Sequence, residues 1–349
     1  MNVLHVTYID LPGRRFNGYD LLDDLQGRGI HGEQAVLEKR SNDARVVSLY
    51  RSPDEERLRQ ALARVECRHS MDNLLYPWGR ALAETEQFKQ ADVVHYQVIQ
   101  NRMISTLDMP MLCRLKPSVW TFHDPWPLTG HCVHPVRCEG WLAGCRPCPY
   151  LNRLFPLEED RAGEIWELKR RMFECMDIDI VVASEFMREM VLRSPLTARL
   201  EHVHLIPFGI DASRFLPDVE KSKSRETLNI PEDHFVVLFR ASSWDLKGLR
   251  YIIDALGSSQ PGRPTTLLTV DQKGLLGNLP SSYNTVELGW VEDEALYPRV
   301  FSACDAFLMP STGESFGLMA LEAMAAGRPV VCFTDTAVAS VTHAPECGI

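Results

Sequence analysis

The chain has 349 residues, 45% of them hydrophobic and 24% charged, with a formal net charge of −10. That length exceeds what one hydrophobic core usually serves, so two domains are expected, and the lack of any run of about eighteen apolar residues excludes a membrane span. Basic against acidic residues count 27 to 30 through Arg214 and 10 to 17 after it, which excludes nucleic acid as a partner but leaves room for a local membrane-facing patch.

The N-terminus, MNVLHVTYIDLPG, reads as a strand entering a turn rather than a basic, apolar secretory leader. The expected location is cytoplasmic, with peripheral contact at the inner membrane face as the variant. Short apolar runs then alternate with helical segments, which favours doubly wound parallel sheets in an α/β fold. Val3 to Tyr8, Gln34 to Leu37, Arg45 to Leu49, Val93 to Tyr96, Val119 to Phe122, Ile180 to Ala183 and Val203 to Ile206 read as strands of a first domain, residues 1–214. Phe235 to Arg240, Thr266 to Val270, Thr285 to Leu288, Asp305 to Met309 and Val330 to Phe333 read as strands of a second, residues 215–349. Pro207 to Pro231 reads as a polar, proline-bounded connection containing the hinge, opened by a turn with Gly209 at positive φ.

Four segments carry chemistry. After the first strand, DLPGRRFNGYDLLDDLQGRGIHG sets Gly18 ahead of a helix bearing Leu21, Leu22 and Leu25. In WTFHDPWPLTGHC a strand ends in His123-Asp124, at the carboxyl edge of the sheet, where open α/β folds bind ligands. Asp124 would orient the His123 ring or accept from the following turn, and a histidine buried for packing is the plain alternative. Insertion 130–149 then holds four of the ten cysteines, Cys132, Cys138, Cys145 and Cys148, spaced C-x5-C-x6-C-x2-C. Intracellular thiols stay reduced, so two readings stand: one structural zinc, with His131 or His134 able to replace a thiolate, or buried free thiols. Cys113 and Cys332 sit in apolar runs and read as core.

The fourth segment is DAFLMPSTGESFGLMALEAMAAGRPVVCF, from Asp305 to Phe333. Two apolar strands flank a helix closed by Gly327 and Pro329, and Phe316 to Gly327 is apolar or small except at Glu322. A carboxylate there must be hydrogen-bonded or paired. The amides of Ser315, Phe316 and Gly317 are expected in the first helical turn, where unpaired donors and the helix dipole suit a phosphate. A structural pair of carboxylates, Glu314 at helix entry and Glu322 against a buried Arg, is the alternative.

The run ES-F-G-L-x-x-L-E-A-M-A-x-G-x-P-V-V resembles the signature of the retaining GT-B glycosyltransferases of family GT4. That resemblance implies two facing Rossmann-like domains with a cleft between them. It implies that Glu314 holds donor-sugar hydroxyls, that Glu322 holds the nucleotide ribose, and that Ser315, Phe316, Gly317 and Leu318 lie at the diphosphate. VVLFRASSWDLKGLRYIIDAL resembles the loop in which an Arg and a Lys neutralise that diphosphate. Lys247-Gly248 matches it; Arg240 is the candidate Arg, although the spacing is longer than usual and a plain surface Arg is the alternative. IPFGIDASRF is similar to a turn that usually reads P-N-G-x-D-x-x-x-F, with Phe208 in place of Asn. Gly18 would approach the donor phosphates or the acceptor, with Asn17 where a Gly is usual, and His123 would face the donor sugar.

The activity implied is transfer of a sugar from a UDP-, GDP- or ADP-linked donor to the hydroxyl of a glycan or lipid-linked glycan, in bacterial surface polysaccharide or glycoconjugate synthesis. The resemblance also implies that no metal or other cofactor is required for catalysis. The cysteine-rich loop resembles an insertion in a subset of these enzymes that build surface polysaccharides. A catalytically silent nucleotide-sugar-binding or scaffold subunit is the alternative of a different class. Relatives continue through a further strand and helices that pack onto the first domain, so the chain is expected to be truncated or trimmed at its end.

Overall fold

Seven strands form the first sheet of the computed structural model, which describes residues 1–215, 221–277 and 279–347. They are β1 (Asn2–Ile9), β2 (His31–Glu38), β3 (Val46–Ser48), β4 (Val93–Tyr96), β5 (Ser118–Thr121), β6 (Asp179–Val182) and β7 (Val203–Leu205). All pair in parallel, in the order β3-β2-β1-β4-β5-β6-β7. The second sheet runs β10-β9-β8-β11-β12, also parallel. Its strands are β8 (Phe235–Ala241), β9 (Thr265–Asp271), β10 (Asn284–Glu287), β11 (Ala306–Met309) and β12 (Val330–Cys332). Each strand expected from the sequence is present, with ends shifted by a few residues at most.

A sheet covered on both faces needs apolar side chains on both, which is why these strands read as unbroken runs rather than alternating ones. β8 shows the sorting: Val236 and Leu238 pack with Phe301 and Phe307 on one face, while Val237, Phe239 and Ala241 pack with Ile252 and Leu267 on the other. Each fully buried Leu or Phe of this kind contributes roughly 1.5–3 kcal/mol. In the first sheet Trp120, Phe122 and Phe173 fill the corresponding space with mutually stacked and edge-on rings.

The chain divides into two units, Met1–Pro207 and Phe208–Ile349. The division falls ahead of Arg214 because Ile210 and Phe215 pack into the core of the second unit. The expected connection is also more structured than its polar sequence suggests. Residues 216–220 lie outside the described residues, but Lys221–Thr227 is a helix anchored by Arg225, whose guanidinium reaches Asp305 Oδ2 at 2.9 Å and the carbonyls of Ala303 and Glu232. Gly209 is not among the positive-φ glycines. Asp211 makes the turn instead, its Oδ1 accepting from the amide of Ser213 at 3.0 Å.

Both sheets reverse their strand order once, between β1 and β4 in the first and between β8 and β11 in the second. At such a reversal the connections leave in opposite directions, and the carboxyl ends of the two central strands open a crevice that ligands use. Among the described residues no helix is long and apolar enough to cross a membrane.

Candidate functional site

In the second unit the two loops at the reversal are tied together. The loop after β8 ends in a single turn, Asp245–Lys247, and the amide of Thr312, in the loop after β11, donates to Leu246 O at 2.9 Å. Gly248 follows at φ 74°, where a Cβ would stand 2.0 Å from Pro310 O. Only glycine lets the backbones approach so closely. The result is an ion pair: Lys247 Nζ meets Glu314 Oε1 at 2.5 Å, with both side chains largely buried. Lys247 also lies 5.1 Å over the Trp244 ring.

The helix after β11 is Leu318–Ala325, with Gly317 as its N-cap at φ 102°. It therefore starts later than the sequence suggested, because Gly317 takes the left-handed conformation that ends the loop. The first-turn amides are those of Leu318, Met319 and Ala320, not of Ser315 and Phe316. Ala320 N already donates to Gly317 O at 2.9 Å, which leaves Leu318 and Met319 as the donors that a helix start presents. Its far end is as expected: Gly327 is left-handed, Gly327 N donates to Met324 O and Arg328 N to Ala323 O, satisfying the last carbonyls.

Glu322 is 1% exposed in the middle of this helix. Its Oε2 accepts from Tyr297 Oη at 2.6 Å, a partner that no short motif announces because it lies on the neighbouring helix, Leu296–Ala303. Phe316 is buried and meets the edge of the Phe208 ring at 5.2 Å. The residue in place of the usual Asn thus packs against the loop rather than offering a polar contact. Arg240 stands apart from the Lys247–Glu314 pair in its bonding: its Nε donates to Asp271 Oδ2 at 2.7 Å, on the neighbouring strand β9.

In the first unit Gly18, φ 95°, sits on the loop after β1, and a Cβ there would come within 2.7 Å of the His5 ring. Asn17 is a clamp: its Nδ2 donates to the carbonyls of Ile9 and Asp10, and its Oδ1 accepts from Tyr19 N. A glycine could not make these bonds, so the departure at Asn17 fixes the loop that presents Gly18.

His123 follows β5. Its Nε2 lies 2.6 Å from Gln97 Oε1, and its ring packs on Phe16. A carbonyl oxygen only accepts, so Nε2 carries the proton and Nδ1 keeps the lone pair. Gln97 Nε2 in turn reaches the His95 ring, which bonds Thr121 Oγ1 at 2.8 Å. Burial, reinforced by His95, pushes the His123 pKa down to about 3, so the ring is neutral at physiological pH. Asp124 serves the following turn rather than the His123 ring: it accepts from Trp126 N and from Gln100 Nε2, and burial raises its pKa to about 6. Gln97, Gln100, Asp271 and Tyr297 escaped the sequence reading because each is defined by a partner far along the chain.

Two doubly wound, all-parallel units in series define the class, the GT-B fold. The structure matches WaaG, a glycosyltransferase involved in lipopolysaccharide biosynthesis, with a TM-score of 0.65 at 17% identity, over 100% of this chain and 85% of that one. It matches Anabaena HepE in complex with UDP-glucose with a TM-score of 0.59 at 16% identity, over 97% and 81%. Residues 234–349 match the family described as Glycosyl transferases group 1. Over 264 residues the chain is 25% identical to the Escherichia coli (strain K12) protein named as the colanic acid biosynthesis glycosyl transferase WcaC, covering 71% of this chain. The aligned part spans 61% of that relative's length and 35% of the next curated relative's.

Proposed function

We propose that this chain is a retaining glycosyltransferase, moving a sugar from a nucleoside-diphosphate sugar to a hydroxyl of a glycan or lipid-linked glycan during surface polysaccharide synthesis. The observation that carries the reading is the Lys247–Glu314 pair at the carboxyl ends of β8 and β11, next to the helix start at Gly317. Nucleotide-sugar complexes of proteins with this fold, and the surface-glycan names of WaaG and the WcaC relative, support the donor and acceptor classes.

In this reading the second unit takes the donor. Lys247 and the amides of Leu318 and Met319 carry the diphosphate, whose negative charge grows as the bond from the anomeric carbon to the phosphate oxygen breaks. Fixed donors aimed at a developing charge lower the barrier without reorganising at the moment of reaction. Glu314, held by Lys247, accepts from sugar hydroxyls, and Glu322 from the ribose. The acceptor hydroxyl attacks the anomeric carbon from the face the diphosphate leaves, and its proton passes to the departing phosphate oxygen. The step balances without an enzyme nucleophile or a metal ion. The first unit takes the acceptor, and neutral His123, its Nε2 proton already directed to Gln97, acts as a hydrogen-bond acceptor rather than as a source of protons. Arg240, engaged by Asp271, stays a further candidate for the diphosphate. The reaction belongs on the cytoplasmic side of the membrane, where lipid-linked acceptors are accessible.

The test is a panel of UDP-, GDP- and ADP-sugars screened by thermal shift, followed by donor-hydrolysis and transfer assays on the stabilising donor. Stabilisation with slow nucleotide release, accelerated by a glycan acceptor, is the expected result. Binding without turnover under any acceptor would mark a silent nucleotide-sugar-binding subunit instead.

A further inference from the structure

Between the end of β5 and the helix Ala162–Glu174 the described chain from Phe122 to Arg161 has no strand or α-helix, only single turns at Trp126–Leu128 and Gly140–Leu142. Trp126, Leu128 and Trp141 anchor it in the main core of the unit, and Leu157, Ala162 and Ile165 form a small separate cluster. A loop this long inside a compact unit is uncommon and usually has a function. All four cysteines of the insertion are free thiols, and together with His131 they surround one small cavity.

The ligand atoms of His131, Cys132 and Cys148 all lie within 4.8 Å of one another. His131 Nε2 is 3.4 Å from Cys148 Sγ and 3.9 Å from Cys132 Sγ. A tetrahedral zinc with bonds of about 2.3 Å to sulfur and about 2.0 Å to nitrogen sets its N···S edge near 3.5 Å, and the two observed edges bracket that value. His131 Nδ1 faces Phe155 O at 3.1 Å. A carbonyl can only accept, so Nδ1 carries the proton and the Nε2 lone pair points at the thiols. This is the outer contact that metal-ligating histidines make.

Neither Cys138 nor Cys145 belongs to this close triad, so the fourth ligand has to move in as the ion binds, and two thiols compete for that position. Cys145 Sγ accepts from the amide of Gly130 at 3.2 Å, which sets it beside the residue preceding His131. Cys138 Sγ accepts from Gly140, within its own turn. His134 is directed elsewhere, its Nδ1 accepting from Val136 N and its ring stacked on Phe186. Behind the cluster the buried ammonium of Lys169 donates to Trp126 O at 2.8 Å and to Thr129 O at 3.1 Å. Three thiolates around a dication leave one net negative charge, and the Lys169 ammonium, which also lies 3.9 Å from the buried Asp72 carboxylate, shares its positive charge between the two.

We propose that His131 Nε2, Cys132 Sγ, Cys145 Sγ and Cys148 Sγ hold one structural zinc ion, with Cys138 outside the first coordination sphere. The ligand set differs from the four-thiolate one the cysteine spacing suggested, and it does not depend on the transferase reading. The ion cross-links residues 131–132 to 145–148 and so fixes the loop that leaves the His123 end of β5.

The test uses the full chain purified without added metal. Elemental analysis should find about one zinc ion per chain, and cobalt substitution should give the visible bands of a tetrahedral thiolate site. Cys138→Ser should keep the metal, while Cys145→Ser should lose affinity by roughly tenfold or more. His131→Cys guards against misfolding: it should retain the ion and strengthen the cobalt–thiolate charge-transfer absorption. Protein with well under one zinc per chain, no tetrahedral cobalt spectrum and four readily alkylated thiols would overturn the site. Loss of metal in Cys138→Ser with retention in Cys145→Ser would overturn the ligand set.

Discussion

Lys247 Nζ and Glu314 Oε1 meet at 2.5 Å although 67 residues separate them in sequence. The pair forms because β8 and β11 are neighbours at the point where the strand order reverses, so the loops after them converge. Each side chain holds the other, and removing either leaves a largely buried charge without its partner.

With Lys247 in its proposed role at the diphosphate, Lys247→Ala is expected to lower kcat/KM by roughly 10²- to 10³-fold, the scale of losing one electrostatic donor to the leaving group. With Glu314 in its proposed role on the sugar hydroxyls, Glu314→Ala should depress turnover while moving nucleotide affinity little. A double-mutant cycle on thermal stability with Lys247→Met and Glu314→Gln should return a coupling of about 1–3 kcal/mol. Additive effects would mean that the two side chains do not act as a pair.

Glu322→Ala should weaken nucleotide binding, measured by calorimetry with UDP or GDP. Unchanged affinity would remove Glu322 from the ribose. Tyr297→Phe takes away the hydroxyl that donates to Glu322 and should cost about 1–3 kcal/mol of stability by leaving that buried carboxylate short of a donor.

The buried histidines make a pH prediction. Burial lowers the pKa of His123 and His5 to about 3 and that of His95 to about 4, against an unfolded value of 6.5. A depressed folded pKa means that the unfolded chain binds the proton first. The contribution is thus complete above about pH 6.5 and lost as pH falls toward 3–4, at up to about 1.4 kcal/mol per pH unit for each ring. Asp124, raised to about 6, works in the opposite direction below that pH, so the informative quantity is a difference. Denaturant midpoints for His123→Asn should fall less steeply between pH 7 and pH 5 than those of the parent chain. The same substitution should lower transfer while leaving free-nucleotide binding nearly intact. Equal slopes would show that the ring is not held neutral by burial.

Much of the frame was legible because buried parallel strands are continuous apolar runs, and β8, β9 and β11 could hardly be read otherwise. Glu322 was legible as the one charge in an apolar helix. Its partner was not, since Tyr297 reads as one more apolar residue of its helix. Lys221–Thr227 was missed because KSKSRET carries no apolar stripe, and what holds it is a distant Asp305. Asn17 looked like a departure from a glycine pattern, and only its bonds to the Ile9 and Asp10 carbonyls show why a side chain belongs there.

Glycine positions give a final, graded prediction. At Gly248 a Cβ would lie 2.0 Å from the Pro310 carbonyl oxygen in a backbone already at φ 74°, so Gly248→Ala must push apart the two loops that form the Lys247–Glu314 pair. Gly317 has the same backbone constraint with softer neighbours, the nearest being Val338 Cγ2 at 3.2 Å. Gly209 has neither, with nothing within 4 Å of where a Cβ would sit. Alanine should cost about 1–3 kcal/mol at Gly317, more than that at Gly248, and within about 0.5 kcal/mol of nothing at Gly209. Chemical denaturation of the three variants checks the order. Activity should follow it, because Gly248→Ala displaces Lys247 and Gly317→Ala displaces the helix start, whereas Gly209→Ala touches neither. A Gly248→Ala protein with parental stability and turnover would mean that the two loops do not approach as closely as described, and the Lys247–Glu314 pair would lose its structural basis.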